Sequence, residues 1–216
     1  MKLLATVLTA FLLLTAPLTG AQAQFVRGVM YEVTITNITR GSLFAPILVA
    51  SHRSGVSLFA LGEPASAELA MLAEGGNVEP LAQALRADSR VVDVANSGGP
   101  LEPGQSVTVQ VAAQGADHIS LAAMIVPTND GFIALNGVEA PRSGSETHWV
   151  PGYDAGSEPN DELCVSIPGP QCGGEGASPL AGGEDFVHVH SGIHGIADLK
   201  AEEYDWRNPV AAVTIK

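Results

Sequence analysis

The chain is 216 residues long, enough to bury one sizeable core and to set an expectation of one domain. Asp and Glu outnumber Lys and Arg 23 to 10, for a formal charge of −13. That balance argues against nucleic acid and anionic membrane surfaces as partners, because phosphate binding needs clustered cations. Beyond the N-terminal segment no stretch approaches the roughly 20 apolar residues a membrane span needs.

Residues 1–23 have the composition of a secretory signal peptide. Lys2 supplies a positive start, "LLATVLTAFLLL" an apolar centre, and "AQA" a small-residue cleavage site before Gln24. Cleavage after Ala23 leaves a mature chain of 24–216, secreted or otherwise extracytoplasmic, with a formal charge of −14 once Lys2 is gone. In an oxidising compartment the two cysteines, Cys164 and Cys172, pair most simply as a disulfide closing one short loop.

In chain order, "MYEVTITNIT" (30–39) alternates Tyr31, Val33, Ile35 and Asn37 against Glu32, Thr34 and Thr36, which reads as a strand. "APILVASH" is a second extended piece, and "SHRSG" (51–55) a surface turn. "GEPASAELAMLAEGGN" predicts a short helix capped by Ser66 or Glu63 and stopped at Gly75-Gly76. "VEPLAQALRAD" (78–88) predicts another, with Pro80 in its first turn. Then short apolar runs recur between Gly, Pro and Asn turns: "SRVVDVAN", "QSVTVQVAAQ", "DHISLAAMIVPTND" and "GFIALNGVE". This spacing predicts an antiparallel β-sandwich with the two helices inserted on one side. The Gly- and Pro-rich stretch 151–185 reads as one long ordered loop, after which "FVHVH" and "NPVAAVTIK" resume strands. Trp149 and Trp206 are expected in the core or anchoring loops.

Two stretches carry carboxylates in turn contexts. Asp130 sits in "VPTNDGF" between two apolar strands, and "YDAGSEPNDE" (153–162) holds Asp154, Glu158, Asp161 and Glu162. Either could be a solvated turn. A Ca2+ ion, however, takes about six to eight oxygens from carboxylates, carbonyls and water, and such a loop supplies several. The second stretch lacks the EF-hand spacing.

The blocks "LFALGEPASAELAMLAEGGNVEPL", "MIVPTNDGFIAL", "YDAGSE" and "NPVAAV" together resemble the spondin N-terminal domain of F-spondin and mindin, which also occurs in shorter secreted bacterial forms. The resemblance spans roughly residues 30–216. It implies a C2-like antiparallel β-sandwich with a Ca2+ site. The turn Asp of the family's motif falls on Asp130, and the first loop Asp on Asp154. The second loop Asp falls on Glu158, whose extra methylene alters its reach. The chain also departs from the family at position 131, where Gly131 replaces an aromatic. The implied role is non-enzymatic: a cell-surface or matrix interaction module with a protein or glycan partner.

"GEDFVHVHSGIH" (183–194) gathers three of the six histidines. His188 and His190 share a face if the segment is a strand, and the Ser-Gly-Ile turn could return His194 toward them. Three imidazoles are one way to hold Zn2+ or Cu2+. The alternative function is therefore a secreted transition-metal-binding protein or small metalloenzyme built on His188, His190 and His194. The bland reading is that these rings hydrogen-bond a neighbouring acidic loop. No nucleophile elbow, zinc-protease helix, phosphate loop or dinucleotide fingerprint is present.

Overall fold

The computed structural model describes residues 28–178 and 182–216, so the export signal read at 1–23 lies outside the described residues. Two antiparallel sheets make a β-sandwich. The smaller has the order β5 (Ser106–Ala113), β1 (Val29–Asn37), β11 (Ala211–Ile215), β8 (Glu146–Val150). The larger runs β10 (His188–Val189), β9 (Gly152–Asp154), β7 (Gly131–Glu139), β6 (His118–Val126), β3 (Leu48–His52), β4 (Val91–Asn96). A two-residue strand, β2 (Leu43–Phe44), also pairs with β6.

β1 forms as its alternation predicts: Tyr31, Val33, Ile35 and Asn37 are buried, while the partners between them face outward. The inner face of the smaller sheet adds Val109, Val111, Val213 and Ile215, and packs on Val49, Ile119, Leu121, Ala123, Ile125 and Ile133 of the larger. Its outer face is a ladder of hydroxyl pairs, Thr34–Thr108 at 2.8 Å, Thr36–Ser106 at 2.7 Å and Thr147–Thr214 at 2.9 Å. Cross-strand hydroxyl pairs of this kind each add a few tenths of a kcal/mol, about 0.2–1.

The larger sheet is covered on both faces, so β3 and β6 are buried along almost their whole length, Ser51, His52 and Ser120 included. Helices α1 (Ala67–Gly75) and α2 (Glu79–Ala87) cover its second face, where Leu69, Leu72, Leu81 and Leu85 meet Leu48, Ala50, Ala122, Phe132 and Ala134. The predicted caps are in place. Ser66 accepts from the Leu69 amide at 3.2 Å, α1 ends at Gly76, and Pro80 lies in the first turn of α2. Among the described residues no helix is long and apolar enough to cross a membrane.

Four expectations need correction. The stretch 151–185 is not all loop: Gly152–Asp154 is strand β9, paired with β7 on one side and β10 on the other. "FVHVH" contributes only the two residues of β10. Trp149 is 66% exposed rather than anchoring anything, because β8 is an edge strand and Trp149 points away from the core that Val150 enters. In "SHRSG", Ser51 and His52 are buried in β3, and only Arg53 to Gly55 forms the exposed turn. Trp206 is buried as expected, and Cys164–Cys172 is a disulfide.

Candidate cation site at the β7–β9 edge

The turn between β6 and β7 is built by Thr128. Its hydroxyl donates to the Ile125 carbonyl at 2.6 Å and accepts from the Gly131 amide at 2.9 Å. A Cβ on Gly131 would lie 2.8 Å from that hydroxyl oxygen and 3.0 Å from His190 Cδ2, so no side chain fits there without movement. The turn delivers Asp130, fully buried, beside β9.

β9 sets the second carboxylate. Asp154 is the register partner of Gly131 on one side and of His188 on the other, and the Ala155 amide donates to the Asp130 carbonyl at 3.2 Å. Asp130 and Asp154 thus come together across 24 residues of chain. The loop then wraps Asp130: Ser157 N–H, Ser157 Oγ–H and Glu158 N–H donate to its Oδ2 at 2.7, 3.1 and 3.0 Å. The bend at Gly156 has φ +66°, and a Cβ there would strike the Phe186 carbonyl, so glycine is required. Asp154 Oδ1 accepts from the Gly156 amide at 2.8 Å and its Oδ2 from Asn160 Nδ2 at 2.6 Å.

These bonds do not satisfy the site. Asp130 Oδ1 and both oxygens of Glu158 are buried with no hydrogen-bond partner. Burial pushes the Asp130 carboxyl up to about 7, with the Asp154 charge adding to the rise against the three donors on Oδ2. Burial likewise pushes Glu158 up to about 7, the Glu74 and Asp161 charges adding to the rise against its contacts with Ser178 and Asn129. Buried carboxylates without partners cost several kcal/mol each, about 1–3 or more, unless a proton or a cation compensates them.

Of the residues selected from sequence, Asp130 and Asp154 are adjacent and Glu158 contributes its amide. The charges that bear most on the Glu158 carboxyl are those of Glu74 and Asp161. Asp161 and Glu162 have structural uses. Asp161 Oδ1 accepts from Asn129 Nδ2 at 3.1 Å, and Glu162 accepts the amides of His194, Gly195 and Ile196 at 2.6, 2.8 and 2.9 Å.

The three histidines do not form a ligand set among the described residues. His190 is buried, and its Nδ1 accepts from the Gly192 amide at 3.0 Å, so the proton of the neutral ring sits on Nε2. That nitrogen can donate but not ligate. Burial lowers the His190 pKa, against the pull of the Asp154 charge, which keeps the ring neutral. His194 is exposed. The one convergence of three ligand atoms within 4.8 Å of one another, among the described residues, is Asp154, Glu184 and His188. Glu184, Glu74, Asn129 and Asn160 were not singled out as site residues. The signals were an acidic residue four before His188 and one on the buried face of an apolar helix.

The family described as Spondin_N matches residues 37–159, a span that contains Asp130, Asp154 and Glu158 and ends before Glu184, His188, His190 and His194. No curated protein matches the chain.

Proposed function

The chain belongs to the spondin N-terminal domain family, an extracellular-type domain, and from that premise we propose that it is an exported, calcium-stabilised interaction module rather than an enzyme. The observation that carries the reading is the Asp130 carboxylate, fully buried beside Asp154 with Oδ1 unpartnered. The donors available around it are oxygens, which suits a hard cation such as Ca2+. Asp130 and Asp154 would hold the ion, with Glu158 as third carboxylate once its side chain turns toward them. Bound there, calcium neutralises the buried charge and cross-links the β6–β7 turn to the loop after β9. It thereby fixes the surface that a protein or glycan partner would meet.

The non-enzymatic reading draws support from the one serine–histidine pair joined by a hydrogen bond among the described residues. His52 Nε2 lies 2.8 Å from Ser120 Oγ, but both residues are sealed between strands β3 and β6. Ser120 Oγ also accepts the Gly137 amide at 2.8 Å, a structural use.

The loop offers a direct test. A glutamate-specific protease should cut after Glu158 and Glu162 more slowly in calcium than in chelator. In Asp130→Asn the two rates should be the same. Equal cleavage of wild type in both conditions would sink the proposal.

A further inference from the structure

We propose that Asp154, Glu184 and His188 form a second cation site, one for a Zn2+-class ion, on the outer side of β9 and β10. It shares Asp154 with the calcium site but does not depend on it. Two of its residues lie beyond the span that the family match covers.

The backbone assembles it. His188 and Asp154 are register partners across the β9–β10 pair. Glu184 is brought alongside by the turn at Asp185, whose amide donates to the Gly156 carbonyl at 2.8 Å. His188 Nε2 lies 3.6 Å from Asp154 Oδ1 and 3.8 Å from Glu184 Oε2. Two donors of one tetrahedral ion, each about 2.0–2.1 Å from it, are roughly 3.3–3.5 Å apart. The two His188 distances need to shorten by only a few tenths of an ångström, and the carboxylate oxygens, which lie within 4.8 Å of one another, draw together around the ion.

Each ligand is already oriented. His188 Nδ1 faces the Val189 carbonyl at 3.2 Å, so Nδ1 carries the proton and the Nε2 lone pair is turned to the two carboxylates. Asn160 Nδ2 donates to Asp154 Oδ2 at 2.6 Å and approaches Glu184 Oε1 at 3.5 Å. One amide therefore ties Asp154 Oδ2 and Glu184 Oε1, and leaves Glu184 Oε2 and Asp154 Oδ1, which also accepts the Gly156 amide, on the His188 side. This is the outer-sphere support that metal ligands need.

A further group points in without a partner. His190, its side chain 2% exposed, has Nε2 unbonded and 3.9 Å from Asp154 Oδ2. Since its Nδ1 is taken by Gly192, Nε2 bears the proton, and Asp154 is the carboxylate that would accept it. The histidine pair thus divides the work, His188 as ligand and His190 as outer-sphere donor. His188 and Glu184 side chains are 27% and 38% exposed, so an ion enters from solvent and keeps an open position. One imidazole with two carboxylates is a nitrogen–oxygen set of the kind zinc accepts and calcium does not seek.

The test is titration of Zn2+ into metal-stripped mature protein by calorimetry. Wild type should bind one Zn2+ per chain. His188→Gln and Glu184→Gln should each weaken binding by more than the roughly 10–100-fold that loss of an outer-sphere partner costs, and Asn160→Ala by an amount within that range. Asp130→Asn should retain zinc whatever it does to calcium, so the two sites stand or fall separately. If His188→Gln fails to fold, the exposed Glu184→Gln decides. No zinc on wild type, or equal zinc on wild type and on the ligand variants, overturns the site; equal binding would mean uptake elsewhere on the surface.

Discussion

Stripping calcium from the wild-type protein should lower its melting temperature by roughly 5–10 °C, measured from a hundredfold excess over Kd. Asp154→Ala should barely respond. Ion binding to the folded chain alone contributes RT ln(1 + [L]/Kd), about 2.7 kcal/mol at that excess, and each kcal/mol moves a domain of this size by about 2–4 °C. The sign of the pH dependence follows from the two raised carboxyls. Asp130 and Glu158 have ordinary values of 3.8 and 4.5 in the unfolded chain and about 7 in the fold. Between those values the folded, metal-free protein holds protons that the unfolded chain has released, so its stability falls as pH rises through that window. Calcium must displace those protons, and its stabilising effect should therefore be small near pH 5 and full above about 7. A calcium shift that is the same at both ends of the window would contradict the assignment of these carboxyls to the site.

The second large effect is expected at Phe132. Its ring is fully buried on β7, 5.4 Å from Phe59 in an edge-on contact and 5.7 Å from Tyr153. Phe132→Ala should cost about 3–5 kcal/mol, lost transfer energy plus the cavity left between sheet and helices, and lower the melting temperature by roughly 6–20 °C. Phe132 is also the register partner of Tyr153, next to the pair formed by Gly131 and Asp154. The substitution should therefore weaken calcium binding as well, by loosening the alignment of Asp130 with Asp154. Val189→Ala, at a 53% exposed position on β10, is the control and should stay within about 0.5 kcal/mol of wild type. Equal stability of the two variants in thermal melts would show that the aromatic cluster does not hold this edge together.

How much of this was legible in the sequence depended on what covered each strand. β1 announces itself because one face meets hydroxyls and water, so Tyr31, Val33 and Ile35 alternate with polar residues. β3 and β6, buried on both faces, show apolar runs with no period to read. β9 and β10 have three and two residues, too short for any period, and they are the strands that build the site. Asp130 and Asp154 stood out through their turns and through the family resemblance. Glu184 and Asn160 did not, because their place beside Asp154 comes from pairing between distant segments. The histidines left two readings open for a related reason: spacing of two on an extended segment brings His188 and His190 to the same carboxylate, but the Gly192 amide fixes the tautomer of His190 and makes it a donor. Trp149 stands beside "GYDAG" in the sequence, which suggests a core or loop-anchoring ring, and only the edge position of β8 leaves it outside.

The most direct measurement of the central claim is equilibrium dialysis of the metal-stripped mature protein against calcium, with bound calcium counted per chain for wild type, Asp130→Asn and Asp154→Asn. One calcium on wild type and none on either variant is the predicted result. No calcium on wild type, or the same uptake on all three proteins, would contradict it.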